Sequence, residues 1–281
     1  MAAAVRSHHA VAMTEIEVDQ ETTLVAAAAR LRAAAESGMP VPPVRDLIGS
    51  DDVEAAYAVQ RLNAAARVTA GARVVGRKIG LTSAAVQQQL GVNQPDFGVL
   101  FDDMAFASGD TIATDAVLQP RAEAEIAFVL RDELVAGNLD LEQVKDAIDY
   151  AVVAIEICGS RIANWDISFG DTVADNASAG AFVLGTRRCA LTEFDAVSAE
   201  MSMSIDGVEV STGSGAACLG DPINAVSWLA RMARDLGDPL RAGQVILSGA
   251  LGPMRAIGLG NTVTATVTGL GSVSFTIGGH A

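Results

Sequence analysis

The sequence predicts an α+β chain with an antiparallel-type β core. Three observations carry that expectation. Helical patterns gather near the start, strand patterns dominate from about residue 120 onward, and turn pairs such as Asp206-Gly207 join neighbouring strands. No G-x-G-x-x-G follows a strand and opens a helix, and no phosphate-binding P-loop is present, so a doubly wound fold and a nucleotide cofactor are not expected.

Taken in order, residues 1–20 read as a loose tail. The stretch ETTLVAAAARLRAAAES, from Glu21, reads as a helix stopped by Gly38. A second helix lies in GSDDVEAAYAVQRLNAAARVTAG, with Ser50 or Asp51 as its cap and Gly71 after its end. RVVGRKIG is a short strand, and LTSAAVQQQLG is a short helix capped by Thr82 or Ser83 and stopped by Gly91. Strands follow at Gln119–Leu130 and, after a helix near Leu141–Asp149, at Tyr150–Cys158 and GAFVLGT. MSMSIDGVEVSTG is a hairpin on Asp206-Gly207, a pair that tolerates positive φ. GDPINAVSWLARMARDLG is a helix with Pro222 in its first turn and Gly237 beyond it. QVILSG is a strand, and NTVTATVTGLGSVSFTIG closes the chain as a hairpin. The organisation is therefore a tail (1–20), an N-terminal helical region (21–72) and a β-rich region (73–279).

The 281 residues are half hydrophobic, enough for a sizeable core, and carry a formal charge of −15. That charge argues against nucleic-acid and anionic-membrane partners. An anionic substrate would need a local positive centre. The apolar runs fall short of the ~20 residues of a membrane span. Cys158, Cys189 and Cys218 are scattered, lack zinc-ligand spacing and suit a reducing cytoplasm. The only histidines are His8, His9 and His280, outside the body of the fold. Histidine triads and histidine-based zinc sites are thus disfavoured, leaving carboxylates, lysine, hydroxyls or an oxygen-held metal.

In QPRAEAEIAFVL, Glu123 and Glu125 are two residues apart and share one strand face. That face is either wet or holds a cation. Glu156, in the apolar run AVVAIEIC, would cost several kcal/mol if buried without a partner. Three carboxylates from two strands suit a hard divalent cation such as Mg²⁺. Lys78 is one of only two lysines, beside Lys145, among 19 basic residues, and stands between apolar neighbours in VVGRKIGLTS. Unlike arginine, a lysine can shuttle a proton. Asp96 follows Pro95, where a simple turn is the alternative reading. The long polar segment Ser160–Gly180 contributes Ser160 and Asn176 as substrate-binding candidates. Ser248 and Gly249 lie in LSGALGPM, where backbone N–H groups can hold a carboxylate, or where the chain simply turns.

The blocks GRKIGLT, QLGVNQPDFGVLF, LQPRAEAEIAFVL, EICGSRIANWDISFGDTVADNAS, CLGDPINAVSWLAR and ILSGALGPM occur in order over roughly residues 45–278. Together they closely resemble the 2-keto-4-pentenoate hydratases (2-hydroxypenta-2,4-dienoate hydratases) of the fumarylacetoacetate hydrolase superfamily. The resemblance implies a mixed β-roll core of the fumarylacetoacetase C-terminal-domain type with an N-terminal helical part. It also implies Mg²⁺ or Mn²⁺ on Glu123, Glu125 and Glu156, with catalytic roles for Lys78 and Asp96. The implied substrate is a small anionic 2-oxo or enol acid of aromatic meta-cleavage, hydrated to 4-hydroxy-2-oxopentanoate. A cytoplasmic homo-oligomer, pentamer or decamer, is implied, with an aldolase of the same pathway as a candidate partner. The wider superfamily often carries aspartate where this chain has Gly159. Related 2-oxohept-3-enedioate hydratases and 4-oxalocrotonate decarboxylases share the metal glutamates and are the alternative readings.

Overall fold

The computed structural model describes residues 2–83, 87–88 and 92–279, with side chains from Gln20 onward. The reading of residues 1–20 as a loose tail falls almost wholly on side chains outside that set, as does much of the short helix expected over 82–91.

The first helix, α1 (Ala2–Ser37), ends before Gly38 at φ 68°. It buries Ala27, Ala28, Leu31 and Ala34, a helical spacing that marks one apolar face. A single turn, α2 (Arg45–Ile48), leads to α3 (Val53–Thr69). The cap of α3 is Asp52, whose side chain accepts the Ala55 N–H, rather than Ser50 or Asp51. The helix therefore starts one residue later than the acidic run suggests, and its buried face begins at Ala55. Tyr57 stacks on Phe97 at 4.8 Å, and Gln60 donates to the carbonyls of Phe97 and Val173. These contacts fasten the helical region onto the β core, and residues of both regions share one apolar cluster.

The β core has two sheets. The larger contains β1 (Val74–Gly80), β2 (Asp96–Phe101), β3 (Ala105–Ala107), β5 (Arg121–Leu130), β6 (Ile148–Cys158), β7 (Ala179–Leu184), β10 (Val245–Leu247) and the two-residue β11 (Arg255–Ala256). Its order is β2-β1-β10-β5-β6-β7-β3, with β11 on β5. The smaller runs β4-β13-β12-β8-β9, from β4 (Thr111–Ala113), β8 (Glu200–Ile205), β9 (Val208–Ser214), β12 (Thr262–Val267) and β13 (Gly271–Gly278). Most pairs are antiparallel, but β1–β10, β3–β7 and β4–β13 are parallel. The core is therefore mixed, as the family resemblance implied, and antiparallel for the most part, as the strand pattern suggested. The expected hairpin turn is present: Asp206 and Gly207 take φ 53° and 79° between β8 and β9.

β5 shows how the site is positioned. Ala122, Ala124, Ile126 and Phe128 belong to the main core, while Glu123 and Glu125 alternate onto the opposite face. Further α-helices among the described residues are α4 (Leu141–Ala147), α5 (Phe169–Ala174) and α6 (Pro222–Asp235). α5 lies inside the segment read as a polar loop. Its signal is the S-x-x-D box: Ser168 Oγ accepts the Asp171 N–H, and Asp171 accepts the Ser168 N–H at 2.9 Å. Asp171 also accepts the N–H groups of Val44 and Arg45, tying α2 to this segment.

Candidate metal centre

β5 and β6 pair so that Glu123 stands directly opposite Glu156. Paired residues share a face, so Glu123, Glu125, Glu156 and Cys158 all project to one side of the sheet. Lys78 on β1 joins that row through its partner Leu247 on β10, itself paired with Ala127. Asp96 opens β2 opposite Gly80 rather than sitting in the turn that Pro95 suggested. A Cβ on Gly80 would collide with Asp96 Oδ1 and lie 3.1 Å from Lys78 Nζ, so glycine is what lets these two groups approach.

Burial is nearly complete: Glu125 and Glu156 are 0% exposed, Asp96 2% and Lys78 3%. Lys78 Nζ lies 3.4 Å from Glu156 Oε2. Both oxygens of Glu156, Oε1 of Glu125 and Oδ1 of Asp96 lack hydrogen-bond partners. Burial, together with Glu156 and Glu123, pushes the Glu125 carboxyl well above its ordinary range. Burial likewise raises Glu156 to about 8, against the pull of Lys78, and raises Asp96. Burial also works against the Lys78 ammonium, but the surrounding acids, Glu156 foremost, outweigh it and hold the lysine well above its usual value. One ammonium thus faces four carboxyls, and protons must make up the balance unless a cation does. The orphaned buried carboxylate oxygens are donors that fit a hard divalent ion.

The weaker candidates divide. Ser248 is fully buried and its hydroxyl has no partner. The Gly249 N–H holds a carboxylate, but it is the protein's own: it donates to Glu125 Oε2 at 2.8 Å. Ser160 closes a local turn, its hydroxyl paired with the backbone of Ile162. The Asn176 carboxamide is spent on both backbone groups of Val99 and braces β2. Asn176 does line a cavity of about 450 Å³ between α1, α3 and the 161–179 segment. None of the three glutamates lines it, so charge chemistry rather than volume marks the site. A Cβ on Gly159 would run into the Val117 side chain and lie 3.0 Å from the Leu118 carbonyl oxygen. Cys158, whose spacing in the sequence fits no zinc motif, stands on the same face as the glutamates. Strand alternation from Glu156 would have found it.

The fumarylacetoacetate (FAA) hydrolase C-terminal family profile matches residues 70–278. The chain belongs to the fumarylacetoacetate hydrolase family. It is 53% identical to the TodF product hydratase of Pseudomonas putida F1, over 93% of this chain and 98% of that one. It is also 53% identical to the 2-keto-4-pentenoate hydratase of Paraburkholderia xenovorans LB400, over 88% and 92%. Among solved structures, the 4-oxalocrotonate decarboxylase from Pseudomonas putida G7, complexed with magnesium and adipate, superposes with a TM-score of 0.87. It is 32% identical over 92% of this chain and 97% of that one. The hydratase relatives place the chain among the hydro-lyases of the family. No described helix is long and apolar enough to cross a membrane.

Proposed function

We propose that the protein hydrates 2-hydroxypenta-2,4-dienoate to 4-hydroxy-2-oxopentanoate, with Glu123, Glu125 and Glu156 holding a divalent cation, Mg²⁺ in the first instance. The observation that carries this reading is the cross-strand carboxylate cluster, buried, with unpartnered oxygens and one buried lysine beside it. When bound, the cation would supply Lewis acidity toward a 2-oxo acid and positive charge that Lys78 alone does not provide against four acidic groups.

The remaining roles fall to the chain's own groups. Lys78, held protonated by its acidic neighbours, gives and takes the proton at the substrate's 2-oxygen and steadies negative charge there. Asp96, with one oxygen free and its proton affinity raised, manages the proton of the adding water at C4. The unpartnered Ser248 hydroxyl donates to the substrate carboxylate. The enclosing apolar side chains, including Phe182, Val152 and Leu247, exclude bulk water and strengthen these interactions.

Decarboxylation of a 2-oxo acid on the same carboxylates is the second reading, favoured by the magnesium-bound decarboxylase of similar fold. Identity weighs against it, at 32% compared with 53% for the hydratases. The test generates 2-hydroxypenta-2,4-dienoate in situ over EDTA-stripped protein and follows the conjugated-diene absorbance with and without Mg²⁺. Mg²⁺-dependent loss with a product heavier by one water supports hydration. CO₂ release from a dicarboxylic relative, without diene loss, replaces that reading with the decarboxylase.

A further inference from the structure

Cys158 is the last residue of β6, two positions beyond Glu156, and therefore shares its face. The β6–β7 register shifts between Ile157 and Cys158, a local irregularity that can re-aim a side chain. Its thiol donates to Glu123 Oε1 at 3.6 Å. Among the described residues, Glu123, Glu156 and Cys158 form a group whose ligand atoms all lie within 4.8 Å of one another. An oxygen and a sulfur on one tetrahedral ion, with bonds of about 2.0–2.2 and 2.3 Å, stand about 3.5 Å apart. The thiol-to-carboxylate separation already has that length. Both oxygens of the fully buried Glu156 lack a hydrogen-bond partner beside it, and Oε2 faces Lys78 Nζ at 3.4 Å. The other thiols are used differently: Cys189 donates to the Gly269 carbonyl and Cys218 to the Ser248 carbonyl.

We infer that Cys158 is a ligand for thiophilic divalent cations such as Co²⁺, Zn²⁺ and Cd²⁺, which this site takes through one sulfur and the carboxylates of Glu123 and Glu156. The inference rests on the reading of those glutamates as cation ligands. Mg²⁺, a hard ion, uses the carboxylate oxygens alone. With a thiophilic ion the S–H bond breaks, the proton passes to solvent and a sulfur–metal bond forms. The site therefore discriminates between two classes of metal by which side chains engage.

The test titrates EDTA-stripped protein with Co²⁺ and records its absorption spectrum. The expected result is an intense near-ultraviolet thiolate-to-cobalt charge-transfer band that saturates with binding. Cys158→Ser removes the band and weakens Co²⁺ binding by about tenfold or more, ~1.4 kcal/mol. Calorimetric Mg²⁺ affinity changes far less than Co²⁺ affinity in that variant, because serine keeps a donor for Glu123 and Mg²⁺ engages oxygen alone. Co²⁺ binding without the band, or a band that survives Cys158→Ser and disappears in Cys218→Ser, overturns the sulfur ligand while leaving the carboxylate site standing. If Mg²⁺ binds in a Glu123-dependent way but Co²⁺ does not bind at all, the sulfur ligand is again overturned. Failure of both ions to bind overturns the carboxylate site as well.

Discussion

At the scale of single residues, the buried carboxyls of Glu125 and Glu156 set the pH behaviour of the metal-free protein. Burial raises both, and the Glu156 carboxyl is pushed up to about 8 from an ordinary 4.5. The folded state therefore holds a proton that the unfolded chain releases. That contribution to stability is full below about pH 4.5 and is lost as pH rises through about 8. Thermal melts of EDTA-treated protein should show the melting temperature falling between pH 5 and 8, and saturating Mg²⁺ should flatten the slope. Replacing Glu125 by glutamine removes a carboxyl that burial and its acidic neighbours already press towards the neutral form, and keeps an acceptor for the Gly249 N–H. The metal-free melting temperature should rise by about 2–4 °C per kcal/mol relieved, and the Mg²⁺-induced stabilisation should shrink. Lys78→Met separates proton transfer from metal binding. Steady-state kinetics should show kcat lower by about 10²–10⁴-fold, with calorimetric Mg²⁺ affinity undiminished because a neighbouring positive charge is gone.

At the scale of elements, the site depends on how closely β1 lies against β10 and β2. A Cβ on Gly76 would strike the Val245 carbonyl, which is backbone and cannot swing aside. Gly76→Ala should cost about 1–3 kcal/mol in chemical denaturation and lower activity with it, because Lys78 rides on the same strand. Much of this was legible in the sequence. Alternation put Glu123 and Glu125 on one face, and the apolar setting of Glu156 marked it as a buried carboxylate in need of a partner. Parallel pairing of β1 with β10 was not legible, because register between strands more than 160 residues apart leaves no local trace. Asp96 was ambiguous for a related reason: Pro95 signals a turn, and only the pairing with Gly80 makes the next residue a strand residue. The buried Asp171 passed for loop polarity because its partners Val44 and Arg45 are remote in sequence.

At the scale of the whole molecule, a chain of formal charge −15 gathers four acidic groups and one lysine in its interior. Such a cluster is unfavourable empty and favourable filled. A ligand at 100 times its Kd stabilises the folded state by about 2.7 kcal/mol. The family resemblance supplied the mixed β-roll and the hydratase reading, whereas composition supplied only the exclusions. The central claim is that Glu123, Glu125 and Glu156 hold the divalent cation on which hydration depends. Its most direct test is calorimetric Mg²⁺ titration of EDTA-stripped protein, beside Glu123→Ala and Glu156→Ala variants shown by circular dichroism to be folded. One Mg²⁺ per chain in the parent, lost in both variants, is the predicted result. Unchanged Mg²⁺ binding in folded variants would contradict the account.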